Sequence, residues 1–178
     1  MIKKNNIDVV VISCDAYSDI WPYFFKYFNL FWGNCPLDIY LISNIKKYNF
    51  KNLKNIQVGE DISWSENLLK GLESIKKEYV LLMIDDLLLN RSVSNSQFGM
   101  ISEWIDKNKP LYLRLHNSKL LNKNDNLVSL IPQKTPYKTS TMPSIWKKSY
   151  LEKILKKGES AWEFEIHGSK RAFSRINF

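Results

Sequence analysis

The sequence is poor in the features that mark redox, secreted or membrane-spanning proteins. It has only 2 cysteines, Cys14 and Cys35, whose spacing fits no metal or redox motif, so we expect free thiols in a reducing compartment. The polar N-terminus leads into an apolar run that is too short for a transmembrane helix, and no small-residue cleavage site follows. We therefore expect a cytoplasmic protein that could rest against the anionic inner face of the cell membrane.

Glycine-rich phosphate loops are also missing. The 6 glycines form neither a GxGxxG nor a GxxxxGK[ST] motif, which argues against a dinucleotide fingerprint or a P-loop. A bound nucleotide would therefore need a metal ion and side chains to hold its phosphates.

The composition is that of one folded, basic domain. A chain of 178 residues with 44% hydrophobic and 13% aromatic residues can bury a sizeable core. The net charge of +8 suits nucleic acid, anionic lipid or phosphorylated ligands and does not choose among them. A solvated, lysine-rich face is the simpler interpretation of the same charge.

Short apolar runs alternate with helical patterns along the chain. This alternation predicts a parallel sheet with right-handed crossovers. We expect strands at 7–13, 37–43, 55–58, 79–84, 111–115 and 127–131, and helices at 20–32, 64–77, 94–108 and 146–157. The polar segment between about Asn117 and Ser144 is predicted to be irregular and mobile, able to cover a bound ligand.

Two adjacent carboxylates, Asp85 and Asp86, follow the buried strand predicted at 79–84. Open α/β sheets bind ligands at the carboxyl ends of their strands. Two neighbouring acids repel each other there unless a cation pairs with them, and Mg²⁺ or Mn²⁺ carrying a diphosphate would serve. A turn with two solvated aspartates is the alternative.

Aromatic and acidic residues also alternate near the C-terminus, in Trp162, Glu163, Phe164 and Glu165, with His167 close behind. If this segment were a strand, the aromatic rings would lie on one side and the carboxylates on the other. A ring could pack on a sugar while a carboxylate acts as general base. A helix N-terminus or an edge strand with solvated glutamates is equally compatible. His167 could be a third metal ligand, a phosphate contact or a surface residue.

A third candidate lies after the first strand. Asp15 could hydrogen-bond a base or ribose, and Tyr17 could stack on it, in the stretch that begins at Ser13. A loop that caps the next helix would use the same residues.

These stretches together resemble bacterial glycosyltransferases with the GT-A fold, of the kind that builds capsule, O-antigen or lipooligosaccharide. The resemblance rests on DVVVISCD at 8–15 with Tyr17, SWSENLL at 63–69, YVLLMIDD at 79–86, SIW at 144–146 and WEFE at 162–165. It implies an α/β, GT-A-like (Rossmann-like), mostly parallel central sheet flanked by helices in a single domain. Residues 1–90 would form the nucleotide-sugar half and residues 91–178 the acceptor half, with a C-terminal tail that is expected to be missing.

The resemblance also implies an enzyme and a set of site residues. The activity would move a hexose-type sugar from a nucleoside diphosphate donor, expected to be a UDP-sugar, to a saccharide or lipid-linked acceptor with inversion. The usual Asp-X-Asp motif is reduced to Asp85-Asp86 followed by Leu87, which leaves open which carboxylate meets the metal. The residues in contact with the nucleotide-sugar donor would be Ser13, Asp15, Tyr17, Trp64, Asn67 and Asp85. The metal ligands would be Asp85, Asp86 and His167. The acceptor would contact Trp146 and Trp162.

Glu165 lies three positions after Trp162 and is the implied general base, with Glu163 as its competitor. Phosphate or lipid-headgroup contacts are expected from Arg114, Lys134, Lys138 and Arg171. Two further hypotheses stay open: a non-catalytic basic module that binds nucleic acid or nucleotides, and a degenerate transferase that binds donor without turnover. The transferase hypothesis expects no nucleic-acid partner, because the aromatic residues recur at core spacing and the lysines are scattered.

Overall fold

The computed structural model describes residues 6–115, 131–132 and 135–173, with the side chain of residue 173 left out. Its strands form one six-stranded sheet in the order β3-β2-β1-β4-β6-β5. They are β1 (Ile7–Ile12), β2 (Ile39–Ser43), β3 (Leu53–Gln57), β4 (Tyr79–Ile84), β5 (Tyr112–Arg114) and β6 (Ser144–Lys147). The first four strands are parallel, whereas β6 runs antiparallel to both β4 and β5. The predicted fold class, a mostly parallel sheet with flanking helices in one small domain, is confirmed.

Six α-helices are described, and hydroxyl caps and a proline help to begin the longer ones. They are α1 (Trp21–Trp32), α2 (Trp64–Glu73), α3 (Asn95–Asn108), α4 (Lys148–Ile154), α5 (Ala161–Glu163) and α6 (Ser169–Phe173). Pro22 stands in the first turn of α1, and the hydroxyls of Ser63 and Ser94 accept backbone N–H groups at the starts of α2 and α3. A 3₁₀ turn, Asp15–Tyr17, follows β1, and a π-helix, Phe164–Gly168, lies between α5 and α6.

The helices cover both faces of the sheet. On one face, α1 and α3 pack against side chains such as Val9 and Leu81. On the other, α2, α4 and the π-helix residue Phe164 pack against Val10 and Leu82. Because β1 and β4 are covered on both faces, they consist of apolar residues almost throughout, which is why their sequences predicted them well.

Several predicted elements differ from the structure; the helix predicted at 64–77, for example, ends at Glu73. The helix predicted at 146–157 begins only at Lys148, because Ser144–Lys147 is a strand that extends the sheet beside β4. The third strand lies at Leu53–Gln57, two residues earlier than predicted at its start. Except for Ile131, the strand predicted at 127–131 lies outside the described residues, as does most of the segment predicted to cover the ligand.

Both cysteines are free thiols, as predicted. In the described part of the chain, no helix has the length and apolar character needed to cross a membrane.

Candidate functional site

Several elements bring polar side chains to one edge of the sheet, which we call the carboxyl edge. The strands β1, β2 and β4 run parallel and end there, next to Ser13, Asn44 and Asp85. The chain before β6 reaches the same edge, because β6 runs antiparallel to β4 with Ser144 opposite Leu82. Ligands of open α/β sheets bind at such an edge.

Asp85 is turned into the protein. Its residue is only 6% exposed, and its carboxylate accepts a hydrogen bond from the hydroxyl of Ser13. The Ser13 oxygen in turn accepts the indole N–H of Trp21 at 2.7 Å. Burial raises the pKa of Asp85. The hydrogen bond from Ser13 lowers the pKa and partly offsets that rise, whereas the negative charge of Asp86 raises the pKa further. Asp85 therefore joins the ends of β4 and β1 and offers little carboxylate surface to a ligand.

Asp86 is exposed, in contrast to its neighbour. It lies in a tight turn in which the N–H of Leu87 donates to the carbonyl of Ile84 at 3.3 Å. Of the two adjacent carboxylates, only Asp86 faces solvent at the carboxyl edge.

Asp15 connects the loops that follow β1 and β2. Its carboxylate accepts the backbone N–H groups of Asn44, Ile45 and Lys46 at 3.1 to 3.2 Å. Its own N–H donates to the Asn44 side-chain oxygen at 2.9 Å. Asp15 thus fixes the loop geometry, and the exposed ring of Tyr17 stands beside it. The partner Asn44 is missed by sequence reasoning, because nothing local links it to Asp15.

The start of α2 carries the next residues predicted to contact the nucleotide-sugar donor, Trp64 and Asn67. The Asn67 amide donates to a carboxylate oxygen of Asp61 at 2.6 Å, and the ring of Trp64 lies 5.3 Å from that of Phe164. Ser63 caps the helix by accepting the N–H of Glu66 at 3.2 Å.

Three buried polar atoms near the carboxyl edge have no hydrogen-bond partner among the described residues. They are Nδ2 of Asn44, Nε1 of Trp64 and Oδ1 of Asn67. Leaving such an atom unpaired costs about 1–3 kcal/mol, so a hydrogen bond from a polar ligand or from water would be favourable there.

Hydrogen bonds connect Glu165 to the chain segment that precedes β6 at the carboxyl edge. Oε1 of Glu165 accepts hydrogen bonds from the Ser140 hydroxyl at 3.0 Å, the Thr141 N–H at 2.6 Å and the Thr141 hydroxyl at 2.9 Å. Residues 140–141 lie in the irregular chain just before β6, which enters the sheet at Ser144, opposite Leu82 of β4. Sequence reasoning named Glu165 but missed these two partners.

The π-helix sets the position of Glu165. Phe164 is fully buried, and its ring lies within 6.1 Å of that of Trp146, so it anchors this turn to the core. The wider turn leaves backbone carbonyls free of regular helical bonds, and the carbonyl of Glu165 accepts the hydroxyls of Ser169 at 2.6 Å and Thr139 at 3.3 Å. π-Turns of this kind occur frequently at functional sites.

Glu163 has a different role. Its carboxylate accepts the Ser160 N–H and hydroxyl, both at 2.8 Å, while the Ser160 oxygen accepts the Glu163 N–H at 3.2 Å. This capping box begins α5, and its hydrogen bonds lower the pKa of Glu163. The strand-like alternation considered for 162–165 is therefore wrong, and the alternative of a helix N-terminus is correct.

His167 lies next to an ion pair between the buried Glu159 and the half-buried Arg171, which sequence reasoning missed. Its Nδ1 is 3.3 Å from Oε1 of Glu159, and Glu159 pairs with Arg171 across 2.8 Å. Within the described residues, no three His, Cys, Asp or Glu side chains are grouped so that they could hold a metal ion. The structure thus does not bring His167 together with Asp85 and Asp86.

The two tryptophans predicted to contact an acceptor differ completely in exposure. Trp146 is 0% exposed, with its ring 4.0 Å from that of Tyr112 and its indole N–H donating to Ser144 at 2.9 Å. It stabilises the core and has no surface for an acceptor. Trp162 is 62% exposed.

The predicted basic contacts are largely engaged within the protein. Arg114 donates to the Tyr112 hydroxyl at 3.3 Å and to the Lys138 carbonyl at 2.9 Å, and Arg171 pairs with Glu159. Lys138 is buried, and Lys134 lies outside the described residues.

The sheet order, the flanking helices and the carboxyl edge define a glycosyltransferase-like fold. A structure of S. aureus TarS 1–349, a glycosyltransferase, matches 96% of this chain with a TM-score of 0.63 and 13% identity. A second TarS structure matches 90% with a TM-score of 0.54 and 13% identity, and the bifunctional IspDF from Campylobacter jejuni matches 94% with a TM-score of 0.50 and 20% identity.

These similarities concern the fold alone. The chain spans 56% of TarS 1–349, 33% of the second TarS structure and 46% of IspDF, about half or less of each. No protein-family model matches the chain, and no curated protein sequence matches it.

Proposed function

We propose that the protein transfers a sugar from a nucleoside diphosphate donor, a UDP-sugar in the first instance, to a saccharide or lipid-linked saccharide of a bacterial surface polysaccharide. The observation that carries the proposal is that two carboxylates are held by segments that reach the same edge of the sheet. Asp86 is exposed after the central strand β4, and Glu165 is hydrogen-bonded to Ser140 and Thr141, just before the point where β6 enters the sheet. The likeness to the glycosyltransferase TarS supports it at the level of the fold.

The donor nucleotide would lie over the ends of β1 and β2 and the start of α2. Two unpaired donors, Asn44 Nδ2 and Trp64 Nε1, and one unpaired acceptor, Asn67 Oδ1, could pair with the oxygens, nitrogens and hydroxyls of a base and ribose. The exposed ring of Tyr17 is available for stacking, and Asp15 would act by holding the loop.

The residues at the end of β4 fit a metal ion that is held mostly by its substrate. Mg²⁺ commonly uses one or two protein carboxylates and takes phosphates and water as its other ligands. Asp86 would hold the ion, with Asp85 behind it, and the ion would offset negative charge on the diphosphate leaving group. His167 is not needed for this arrangement.

Glu165 is the better candidate for the general base. Its Oε1 is fixed by three hydrogen bonds, and within the described residues none involves Oε2. Oε2 would accept the proton of an acceptor hydroxyl as that oxygen bonds to the anomeric carbon from the opposite side. The bond between that carbon and the diphosphate oxygen breaks, the diphosphate leaves with the electron pair, and the configuration inverts. Glu163 is less suitable because its carboxylate caps α5.

Release of nucleoside diphosphate from UDP-sugars by the purified protein, with and without Mn²⁺, tests the proposal. We expect metal-dependent release that Asp86→Asn lowers to near background. Asp106→Asn is the matched control, because Asp106 contacts Lys109 near the amino end of β4, at the opposite edge of the sheet. Release by Asp86→Asn at the normal rate would remove Asp86 from the mechanism, and no release from any nucleotide sugar would contradict the proposed activity.

A further inference from the structure

Two exposed aromatic side chains meet on the surface close to Glu165. Trp162 is 62% and Tyr137 45% exposed, and their ring centroids are 5.7 Å apart with the planes tilted by 46°. Trp162 precedes Glu165 by three residues, and Tyr137 precedes Ser140, which donates to the Glu165 carboxylate, by three residues. The hydrogen bonds of Glu165 therefore join the two chain segments that carry the rings.

The backbone of Tyr137 is strained. Its φ of 50° lies in the left-handed region, which costs a non-glycine residue about 1 kcal/mol or more. The guanidinium of Arg114 donates to the carbonyls of Tyr137 and Lys138 and so holds the backbone in this conformation. A bulky side chain at a position that favours glycine indicates that the ring itself is useful there.

Trp162 is held just as firmly. It follows the Ser160 cap of α5, and two residues later the fully buried Phe164 fixes the same turn to the core. Because the backbone under both rings is fixed, binding of a ligand there costs little backbone conformational entropy, although both rings are exposed to water. Aromatic side chains beside a few polar groups that can orient a ligand are typical of ligand-binding sites.

We propose that Tyr137 and Trp162 form an aromatic platform that binds one face of a pyranose ring of the saccharide acceptor. The apolar C–H face of a sugar packs on aromatic rings, and the tilt of 46° between the two rings leaves no parallel slot for a flat base. The carboxylates of Glu163 and Glu165, one and three residues after Trp162, would repel the phosphates of a nucleic acid. The identification of this sugar as the acceptor rests on the proposed function.

Saturation-transfer NMR with methyl β-D-glucopyranoside and methyl β-D-galactopyranoside tests the platform without any donor. We expect transfer to the ring protons of at least one glycoside, with affinity about three- to ten-fold weaker in Trp162→Ala and Tyr137→Ala. Tyr27→Ala is the matched control, because Tyr27 is another exposed tyrosine in a ring pair, with Phe31, on the helix α1 that covers the other face of the sheet. Undiminished binding in Trp162→Ala, or no binding of either glycoside by the wild type, would overturn the proposal. So would tight binding of oligo(dT) that depends on the two rings.

Tyr137→Gly separates binding from stability. Glycine adopts a positive φ without strain, so this variant should melt at the same or a higher temperature and yet lose glycoside binding. A parallel loss of stability and binding would show that the ring has only a structural role.

A thermal-shift measurement with UDP distinguishes failure of the platform from failure of the proposed activity. Trp162→Ala and Tyr137→Ala should retain the wild-type shift, because they leave the donor residues intact. If glycosides bind as expected and no nucleoside diphosphate shifts the melting temperature, the platform is supported and the transferase proposal fails. If UDP shifts the melting temperature and no glycoside binds, only the platform proposal fails.

Discussion

Asp8 shows how one buried carboxylate makes stability depend on pH. It lies in β1 with 2% exposure, and burial raises its pKa from 3.8 to about 6, although the charge of Lys77 opposes the shift. The native state therefore binds this proton more tightly than the unfolded chain does. The contribution of Asp8 to the free energy of unfolding should fall as the pH rises from about 4 to about 6 and remain low above that.

Asp8→Asn should remove this penalty. We expect the free energy of unfolding to rise by about 3 kcal/mol at pH 7.5 and to change little at pH 4, because the native carboxyl is already protonated there. Urea denaturation at the two pH values measures both changes. An equal change in the free energy of unfolding at both pH values would mean that ionisation of Asp8 is not the cause of the stabilisation.

Glu165 and Glu163 differ by two positions but should respond differently to substitution. Glu165→Gln removes the proposed base and should lower turnover about 10²-fold or more, with little effect on donor binding. Glu163→Ala removes the reciprocal hydrogen bonds of the cap and should lower the melting temperature slightly while turnover stays close to the wild-type value. Steady-state kinetics and thermal melts of both variants test this, and a larger loss of turnover in Glu163→Ala would exchange the two roles.

At the scale of elements, α2 packs unusually close to β2. A Cβ added at Gly71 would lie 2.2 Å from Cδ1 and 2.6 Å from Cγ1 of Ile42, a fully buried side chain. Gly71→Ala should therefore destabilise the protein by about 1–3 kcal/mol despite the better helix propensity of alanine.

Gly99→Ala is the matched control for this prediction. Gly99 lies inside α3, and nothing surrounds its Cβ position within 4 Å. We expect up to about 1 kcal/mol of stabilisation from helix propensity alone. Chemical denaturation of the two variants should thus give changes of opposite sign, and stabilisation by Gly71→Ala would contradict the close packing described here.

The elements that the sequence predicts best are those whose pattern repeats. In α1 the buried residues Trp21, Phe24, Phe25, Phe28 and Trp32 follow a helical period, so both the helix and its role in the core are predictable. The strand β6 is only four residues long and leads directly into α4, so no period distinguishes it from a helix start. The helical state of 162–165 did have a signal, since Ser160 and Glu163 have the spacing of a capping box.

At the scale of the whole molecule, the aromatic residues separate two interpretations of the basic charge. Most of them are buried in the two core clusters or packed against them, as the rings of α1 illustrate, and the exposed Trp162 lies beside acidic residues. A surface for single-stranded nucleic acid would instead interleave exposed rings with cations. The net charge of +8 alone therefore does not favour a nucleic-acid partner.

The site was only partly predictable, because it depends on contacts between distant segments. Asp85 and Asp86 could be found from the sequence, since they follow an apolar strand directly. The bonds from Thr141 to Glu165, and from Arg171 to Glu159, depend on tertiary packing that no local pattern encodes. The pairing of Tyr137 with Trp162, 25 positions apart by number, is of the same kind.

The most direct test of the central claim, a nucleotide-sugar site at the carboxyl edge, is a thermal-shift screen of nucleoside diphosphates and their sugars with and without Mn²⁺. A ligand at about 100 times its dissociation constant adds about 2.7 kcal/mol of stability by mass action, which is readily measured. We predict that UDP or a UDP-sugar raises the melting temperature of the wild type in the presence of Mn²⁺, and that Asp86→Asn reduces this shift. The absence of a shift with every nucleoside diphosphate would contradict the account.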